Sequence, residues 1–321
     1  MENPEISIII PVYNTEEYVS DAILSIMNQT IREIEIIIIN DGSTDNSLAI
    51  VRELAESDDR IQVYSQENQG QAVARNHGLK QAKGRYVYFM DSDDLLDPQA
   101  LACCFEKCEK EQLDFVFFDA EVFGDEKWTA SFFDYHRSDY VKDHVYQGPE
   151  ILNLLLDEGI HRSPVWLYLM RHDFIKNTGL TFYPVRHEDE LFTAFVYIRA
   201  QRVGYIPKEF FKRRLRSNSV MTSQYPDLDI NAYLKIIACL LKELTEDNRD
   251  VTEKLIRAII NPAIYNANKL SLSKRLHVFL ICIRKTYLRF LKIKNIIVLL
   301  FPFTIPLKSS ILRKNKPLVQ T

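Results

Sequence analysis

The sequence predicts an α/β domain with a largely parallel central sheet, followed by a helical C-terminal region. Two patterns carry that prediction. From residue 6 to residue 90 short apolar runs alternate with amphipathic stretches, and beyond about residue 225 only helical periodicity remains. Charge divides the chain in the same way. The first 253 residues hold 26 Lys and Arg and all 44 Asp and Glu, a formal −18, whereas residues 254–321 hold 14 cations and no acid. Two regions so opposed in charge are expected to do different jobs. The reading is therefore residues 1–225 as the α/β domain and 226–321 as a basic helical region.

The elements follow in order. ISIIIPVYN (6–14) is a buried strand ended by Pro11, and residues 16–30 have helical spacing in Tyr18, Ala22, Leu24, Ile26 and Met27. EIEIIIINDGSTDNS (33–47) repeats the plan as strand, polar turn and helix start, the helix running from about Ser47 to Ala55. IQVYSQ (61–66) is a third strand, residues 71–83 a helix and YVYFM (86–90) a fourth strand. Such βαβ units give a parallel sheet covered on both faces. LDFVFFDAEVF (113–123) and residues 202–215 add strands, with helices near 149–157 and 188–200.

Past a boundary near 222–228 come helices DINAYLKIIACLLKEL and VTEKLIRAIINPAIYNANKL. Over residues 274–292 helical geometry puts Leu276, Phe279, Leu280, Ile283, Tyr287 and Phe290 on one face and Lys274, Lys285, Arg289 and Lys292 on the other. NIIVLLFPFTIPL follows, broken by Pro302 and Pro306 and shorter than the ~20 residues a spanning helix needs. A basic amphipathic helix beside it reads as a monotopic anchor on an anionic leaflet. The alternative is a helical subdomain that packs its apolar face on the α/β domain or a second subunit.

The 321 residues are 46% hydrophobic and 26% charged, an ordinary globular composition. Cys103, Cys104, Cys108, Cys239 and Cys282 form no CxxC pair and are odd in number, so neither a disulfide framework nor a zinc site is expected. A reducing cytosol is the expected compartment. MENPEISIIIPVYN has no basic region and no apolar core long enough for a signal peptide. Nothing in the basic tail has the interleaved aromatic surface of a nucleic-acid module.

Ligands of open α/β sheets bind at the C-terminal strand ends. GxGxxG is missing after the first strand, where PVYNTEE stands, and none of the nine glycines begins a P-loop. A nucleotide-sugar site is the third option, and its parts are present. Asp41, in NDGSTD, is expected to stand exposed and accept a hydrogen bond from a base's ring N–H. Tyr13 offers an aromatic face and Arg75 offers donors. Asp91 and Asp93, in DSDD, are placed to hold a divalent ion bridging a diphosphate. Singly, each also fits an ordinary role: Asp41 as turn former, Tyr13 as a rim residue, Arg75 as a surface ion-pair partner, and Asp93 and Asp94 as the first turn of a helix.

The ordered set SIIIPVYNTEEYVSDAILSIMNQT, EIIIINDGSTDNS, NQGQAVARNHGLKQAKGRYVYFMDSDD and HEDELF resembles family 2 glycosyltransferases of the GT-A fold, over about residues 5–220. By that resemblance Pro11, Tyr13, Asp41, Asn68 and Arg75 hold the uridine diphosphate of a UDP-sugar. Asp91, Ser92 and Asp93 match the DxD motif, with Asp93 the direct ligand of Mn2+ or Mg2+.

Glu188 and Asp189, in YPVRHEDELFTAFVY, are first-turn acids that suit a helix dipole. The resemblance makes the pair the source of the general base. Asp189 is expected to take the acceptor hydroxyl's proton and Glu188 to orient acceptor or base, in a single displacement that inverts the anomeric centre. EFFKRRLRSNSVMTS resembles the family's arginine-rich strand, so Arg213, Arg214 or Arg216 is expected at the diphosphate; a solvated basic edge strand is the other reading. Two features depart from the family. The late segment lacks the histidine some relatives use as a metal ligand, for which His187 is a candidate substitute, a structural or exposed histidine being the other reading, and no Asn-Lys pair follows Trp166.

The expected activity is inverting, metal-dependent transfer from a UDP-sugar to a saccharide acceptor, lipid-linked, in capsule, exopolysaccharide or wall-polymer synthesis. The expected place is the cytoplasmic face of the cell membrane, on an anionic surface, with homo-oligomerisation left open and no nucleic-acid partner. Two rivals are kept: a phosphatase or phosphotransferase with Asp91 as nucleophile and Asp93 as acid/base, and an inactive partner of another transferase.

Overall fold

Four apolar runs, β1 (Ile6–Val12), β2 (Ile34–Asn40), β3 (Ile61–Ser65) and β4 (Tyr86–Phe89), lie side by side and parallel in the order β3-β2-β1-β4. The structure is a computed structural model and describes residues 4–124, 134–215 and 226–302, the side chains of 226–228 excepted. The chain divides into two compact units, Met1–Ser223 and Gln224–Thr321.

Every residue of β1, β2 and β4 is buried, because helices on both faces of a parallel sheet leave no solvent side. Burying each isoleucine of the run Ile36–Ile39 is worth about 1.5–3 kcal/mol. Polar residues of β1 and β2 enter this core with partners. Glu35 Oε1 accepts from Ser7 Oγ at 2.6 Å and from the backbone N–H of Lys83 at 2.7 Å, which fixes the turn into β4. At Gly84 in that turn a Cβ would lie 2.5 Å from the backbone nitrogen of Ser7, so only glycine fits. Pro11 does not end β1. The strand runs on to Val12, with Pro11 opposite Ile39 in the register.

The helices α1 (Val19–Met27), α2 (Ser47–Ser57) and α3 (Gln71–Gln81) supply the crossovers, and α4 (Ala100–Glu111) carries three of the cysteines. The remaining strands are β5 (Leu95–Leu96), β6 (Phe115–Gly124), β7 (Tyr168–Arg171) and β8 (Val203–Leu215). They complete, among the described residues, an eight-stranded sheet ordered β3-β2-β1-β4-β7-β6-β8-β5. Both β6 and β8 are parallel to one another, while β7 and β5 run against their neighbours. Since β8 lies between β6 and β5, it is not the basic edge strand that its arginines also suggested. Helices α5 (Gly148–Asp157), α6 (His172–Thr178) and α7 (Glu188–Arg199) complete the unit. Asp93 and Asp94 do not open a helix; β5 follows them directly and α4 begins only at Ala100.

The second unit holds α8 (Pro226–Leu240), α9 (Arg249–Asn266), α10 (Leu272–Arg284) and α11 (Ile293–Leu300). Its centre is tied by Asn261, whose side chain donates to Phe290 O at 3.0 Å and accepts from Lys292 N at 2.8 Å and from Asn295 at 2.8 Å. The continuous helix expected over 274–292 is interrupted. Thr286 takes a φ of +58°, a 3-10 turn Tyr287–Phe290 follows, and Tyr287 and Phe290 point inward while Leu276, Leu280 and Ile283 face solvent. Among the described residues no helix is long and apolar enough to cross a membrane. Arg216, the serine segment after it and residues 303–307 of the apolar run lie outside the described residues.

Candidate active site

The C-terminal strand ends adjoin, as a shared site requires. Val12 pairs with Asn40, Asn40 with Ser65, and Ile9 with Phe89, so the loops after β1, β2, β3 and β4 leave one edge of the sheet together. The loop after β1 is fastened to the loop after β2. Asn14 Oδ1 accepts from Thr44 N at 2.8 Å, and Ser47 Oγ accepts from Thr15 N at 2.9 Å. Just before these ties Tyr13 stands 48% exposed, an accessible aromatic face.

Asp41 is buried rather than exposed. Its Oδ1 accepts from Gln66 Nε2 at 2.8 Å and Gln69 N at 2.9 Å, and its Oδ2 accepts from Gly70 N at 2.8 Å. A carboxylate has about four lone-pair directions, so the Asp41 carboxylate retains capacity for one more donor. Gly42 follows at φ +72°, where a Cβ would meet Asn68 N at 2.9 Å. The Asp-Gly turn and the exposed Asn68 segment are thus in close register, which brings Asn68 to the same rim as Tyr13.

Arg75, on α3, is the centre of the arrangement. Its Nη2 donates to Asp91 Oδ1 at 2.8 Å, and its Nη1 donates to Glu188 Oε1 at 2.7 Å and Asp189 Oδ1 at 2.9 Å. The guanidinium is buried, lies 5.3 Å from the Phe182 ring, and has no hydrogen-bond partner at Nε. Burial works against its charge, and the three carboxylates outweigh that effect and raise its pKa. The resemblance assigns Arg75 to the uridine diphosphate of the donor; both its terminal nitrogens hold carboxylates, and, being buried, it is no surface ion-pair partner. The neighbouring Asn76 was not singled out from the sequence. It donates to Phe182 O at 2.7 Å and accepts from Phe182 N at 2.9 Å, and so pins the segment leading into the Glu188-Asp189 pair.

Glu188 is buried, while the Asp189 side chain keeps 22% of its surface exposed. Burial pushes the Asp189 carboxyl well above the usual carboxylate range, against the pull of Arg75 and with the push of Glu188 and Asp91. His187 caps α7 at φ +59°, half-buried beside the pair.

The acidic turn divides its labour. Ser92 is buried and its Oγ lies 3.1 Å from Thr15 Oγ1, which ties the turn to the loop after β1. Asp94 is buried and accepts the backbone N–H of Arg214 at 2.6 Å; burial, then Asp93 and Asp91, push its carboxyl well up. Asp91 and Asp93 remain half-exposed at the rim. Arg214 Nε donates to Asp93 O at 2.9 Å, and its guanidinium lies 5.0 Å from the Tyr18 ring and 4.7 Å from the Phe123 ring. Arg213 bonds Tyr135 Oη and lies 5.9 Å from the Trp166 ring, which stacks on Phe211. Both arginines therefore border the turn. A cavity of about 390 Å3 lies elsewhere, in the second unit, beside Ile230, Lys274 and His277.

A divalent cation fits this turn by donor chemistry. Asp91 and Asp93 present hard carboxylate oxygens where Asp91, Glu188 and Asp189 share one guanidinium and leave surplus negative charge. Among the described residues no group of three or more His, Cys, Asp or Glu is arranged to hold a metal. The two aspartates would therefore be completed by ligand phosphate oxygens and water, a common mode for Mg2+.

Residues 7–160 match the profile of Glycosyl transferase family 2. The putative glycosyltransferase EpsH of Bacillus subtilis (strain 168) is 34% identical over 233 residues, which cover 69% of this chain and 64% of EpsH. The chain thus spans just under two thirds of that relative. Among solved structures, residues 1–349 of S. aureus TarS in complex with UDP-GlcNAc superpose with a TM-score of 0.67 at 22% identity, covering 84% of this chain and 77% of that one. The mannosyltransferase PcManGT of Pyrobaculum calidifontis, in complex with GDP-Man and Mn2+, gives a TM-score of 0.55 at 15% identity, covering 98% and 89%.

Proposed function

The chain belongs to glycosyltransferase family 2 and has its GT-A fold, and from that premise we propose that it moves a sugar from a UDP-sugar to a saccharide hydroxyl, with inversion, in surface-polysaccharide synthesis. The observation that carries this reading is the joint hold of Arg75 on Asp91 and Asp189. A group suited to the leaving diphosphate and a group suited to the attacking hydroxyl are fixed by one guanidinium, so the two halves of a displacement have a common frame.

Tyr13 would cover the face of the uracil ring, Asp41 would use its remaining lone pair for the ring N–H, and Asn68 would line the same rim, whereas Pro11 stays buried within β1. Asp91 and Asp93 would hold Mn2+ or Mg2+, which when bound neutralises charge on the departing diphosphate. Arg213 and Arg214 add positive charge beside that turn. Asp189 keeps an exposed edge from which to take the acceptor's proton, and buried Glu188 orients it through Arg75. An α-linked donor then gives a β-linked product.

The acceptor belongs to this proposal as a lipid-linked saccharide at the cytoplasmic face of an anionic membrane. Its support is the run from residue 254 onward, with 14 cations and no acid. The test is UDP release from a panel of UDP-hexoses and UDP-N-acetylhexosamines with Mn2+ and saccharide acceptors. Release that rises with one donor and one acceptor is expected; no release with any UDP-sugar would contradict the reading.

A further inference from the structure

We propose that α10 and α11 form a face that inserts into the headgroup layer of an anionic lipid leaflet. This rests on the membrane reading above and identifies the surface that carries it. Helix α10 has two apolar sides. One is internal: Val278 and Cys282 are buried, and Arg275, one turn before Val278, reaches Leu299 O on α11 at 3.1 Å. The other faces solvent. Leu272, Leu276, Leu280 and Ile283 follow at spacings of four, four and three, one helical row, and each is between 44% and 57% exposed.

Helix α11 repeats the device. Asn295, Val298 and Leu299 are buried, whereas Ile293, Ile297 and Phe301, four apart, are 76%, 44% and 50% exposed. The two helices pack on each other, and solvated helices of a soluble protein do not usually present two such apolar rows on neighbouring elements; exposed apolar surface of this kind marks a binding surface.

Charge selects the occupant. Arg284, Lys285, Arg289, Lys292 and Lys294 are exposed on or between these helices, and no acid follows Glu253 to offset them. An anionic leaflet supplies both complements, acyl chains for the rows and negative headgroups for the cations. At 13 and 8 residues, about 20 and 12 Å long, these helices are too short to span the apolar core and would lie along its surface.

The test is co-sedimentation of the full chain with phosphatidylglycerol-containing vesicles and with phosphatidylcholine vesicles, beside the variant Leu276→Glu/Leu280→Glu. Both side chains lie on the exposed row, at 44% and 47%, and are not among the donor site's residues, so circular dichroism and UDP release with a water-soluble acceptor should match the parent. The expected result is binding to the anionic vesicles alone, weakened by salt, and reduced about ten-fold or more in the variant. Absence of binding to anionic vesicles, or equal binding by the variant, would overturn the proposal. So would a concentration-dependent dimer that the variant abolishes without vesicle binding, which would make the face a contact between copies. UDP release without vesicles reports on the donor site separately.

Discussion

Arg75 holds Asp189 at 2.9 Å and, through its other terminal nitrogen, Asp91 at 2.8 Å. The residue expected to act on the acceptor and the first carboxylate of the DxD turn therefore share one cation. Replacing that cation should disturb both. Arg75→Met leaves Glu188 buried without its counter-charge, and removal of one partner from a buried ion pair costs about 3–5 kcal/mol. The expected outcome is a lower thermal midpoint together with loss of UDP release. Arg75→Lys, which keeps the charge and loses the fork, should recover stability more than activity. Full activity in Arg75→Met would remove this residue from the mechanism.

Asp189→Asn keeps the shape and an acceptor oxygen for Arg75 but cannot take a proton. Transfer should fall about 10²–10⁴-fold while UDP affinity stays near that of the parent. Turnover measured beside UDP binding separates the two, and unchanged turnover would exclude Asp189 as the base.

The neighbouring acids of the turn should part company. Asp94 accepts one backbone N–H, from Arg214, in a buried setting that raises its pKa, so Asp94→Asn is expected to change stability by about 1 kcal/mol or less. Asp93→Asn should abolish the metal dependence of UDP binding. Denaturant unfolding and UDP titration of both variants check this contrast.

The folded state should weaken in mild acid. Burial, then Arg137 and Arg162, pushes the His161 imidazole down to about 3 from 6.5, and both ring nitrogens are sealed without partners. The unfolded chain takes up this proton below about pH 6.5 and the folded chain does not, so stability is complete above that value and falls as pH drops towards 3. At ~1.4 kcal/mol per unit, the loss from this residue at pH 5 is about 2 kcal/mol. His172, lowered chiefly by burial, acts in the same direction. Unfolding by urea at pH 7 and pH 5 should show a smaller drop in His161→Phe than in the parent; equal drops would refute this.

What could be read from the sequence was local. Apolar runs followed by polar turns placed the strands, and the parallel pairs brought NDGSTD and DSDD to one sheet edge. Long-range pairing could not be read this way. Glu188 and Asp189 lie 113 and 114 positions from Arg75, and Arg214 lies 120 from Asp94. Nothing in an Ala-Arg-Asn stretch says which carboxylates its arginine will meet. The strand β7 is four residues long, too short for alternation to register beside the Trp166 turn. The break at Thr286 escaped because hydrophobic periodicity continues through it, although the backbone there turns to φ +58°.

In the proposed function the strand-end loops and the DSDD turn make a metal-dependent UDP site. Calorimetric titration of the full chain with UDP, with and without Mn2+, and again with Asp93→Asn, tests it most directly. Saturable binding that requires both the metal and Asp93 is the predicted result. Absence of binding under all conditions, or binding that Asp93→Asn leaves unchanged, would contradict it.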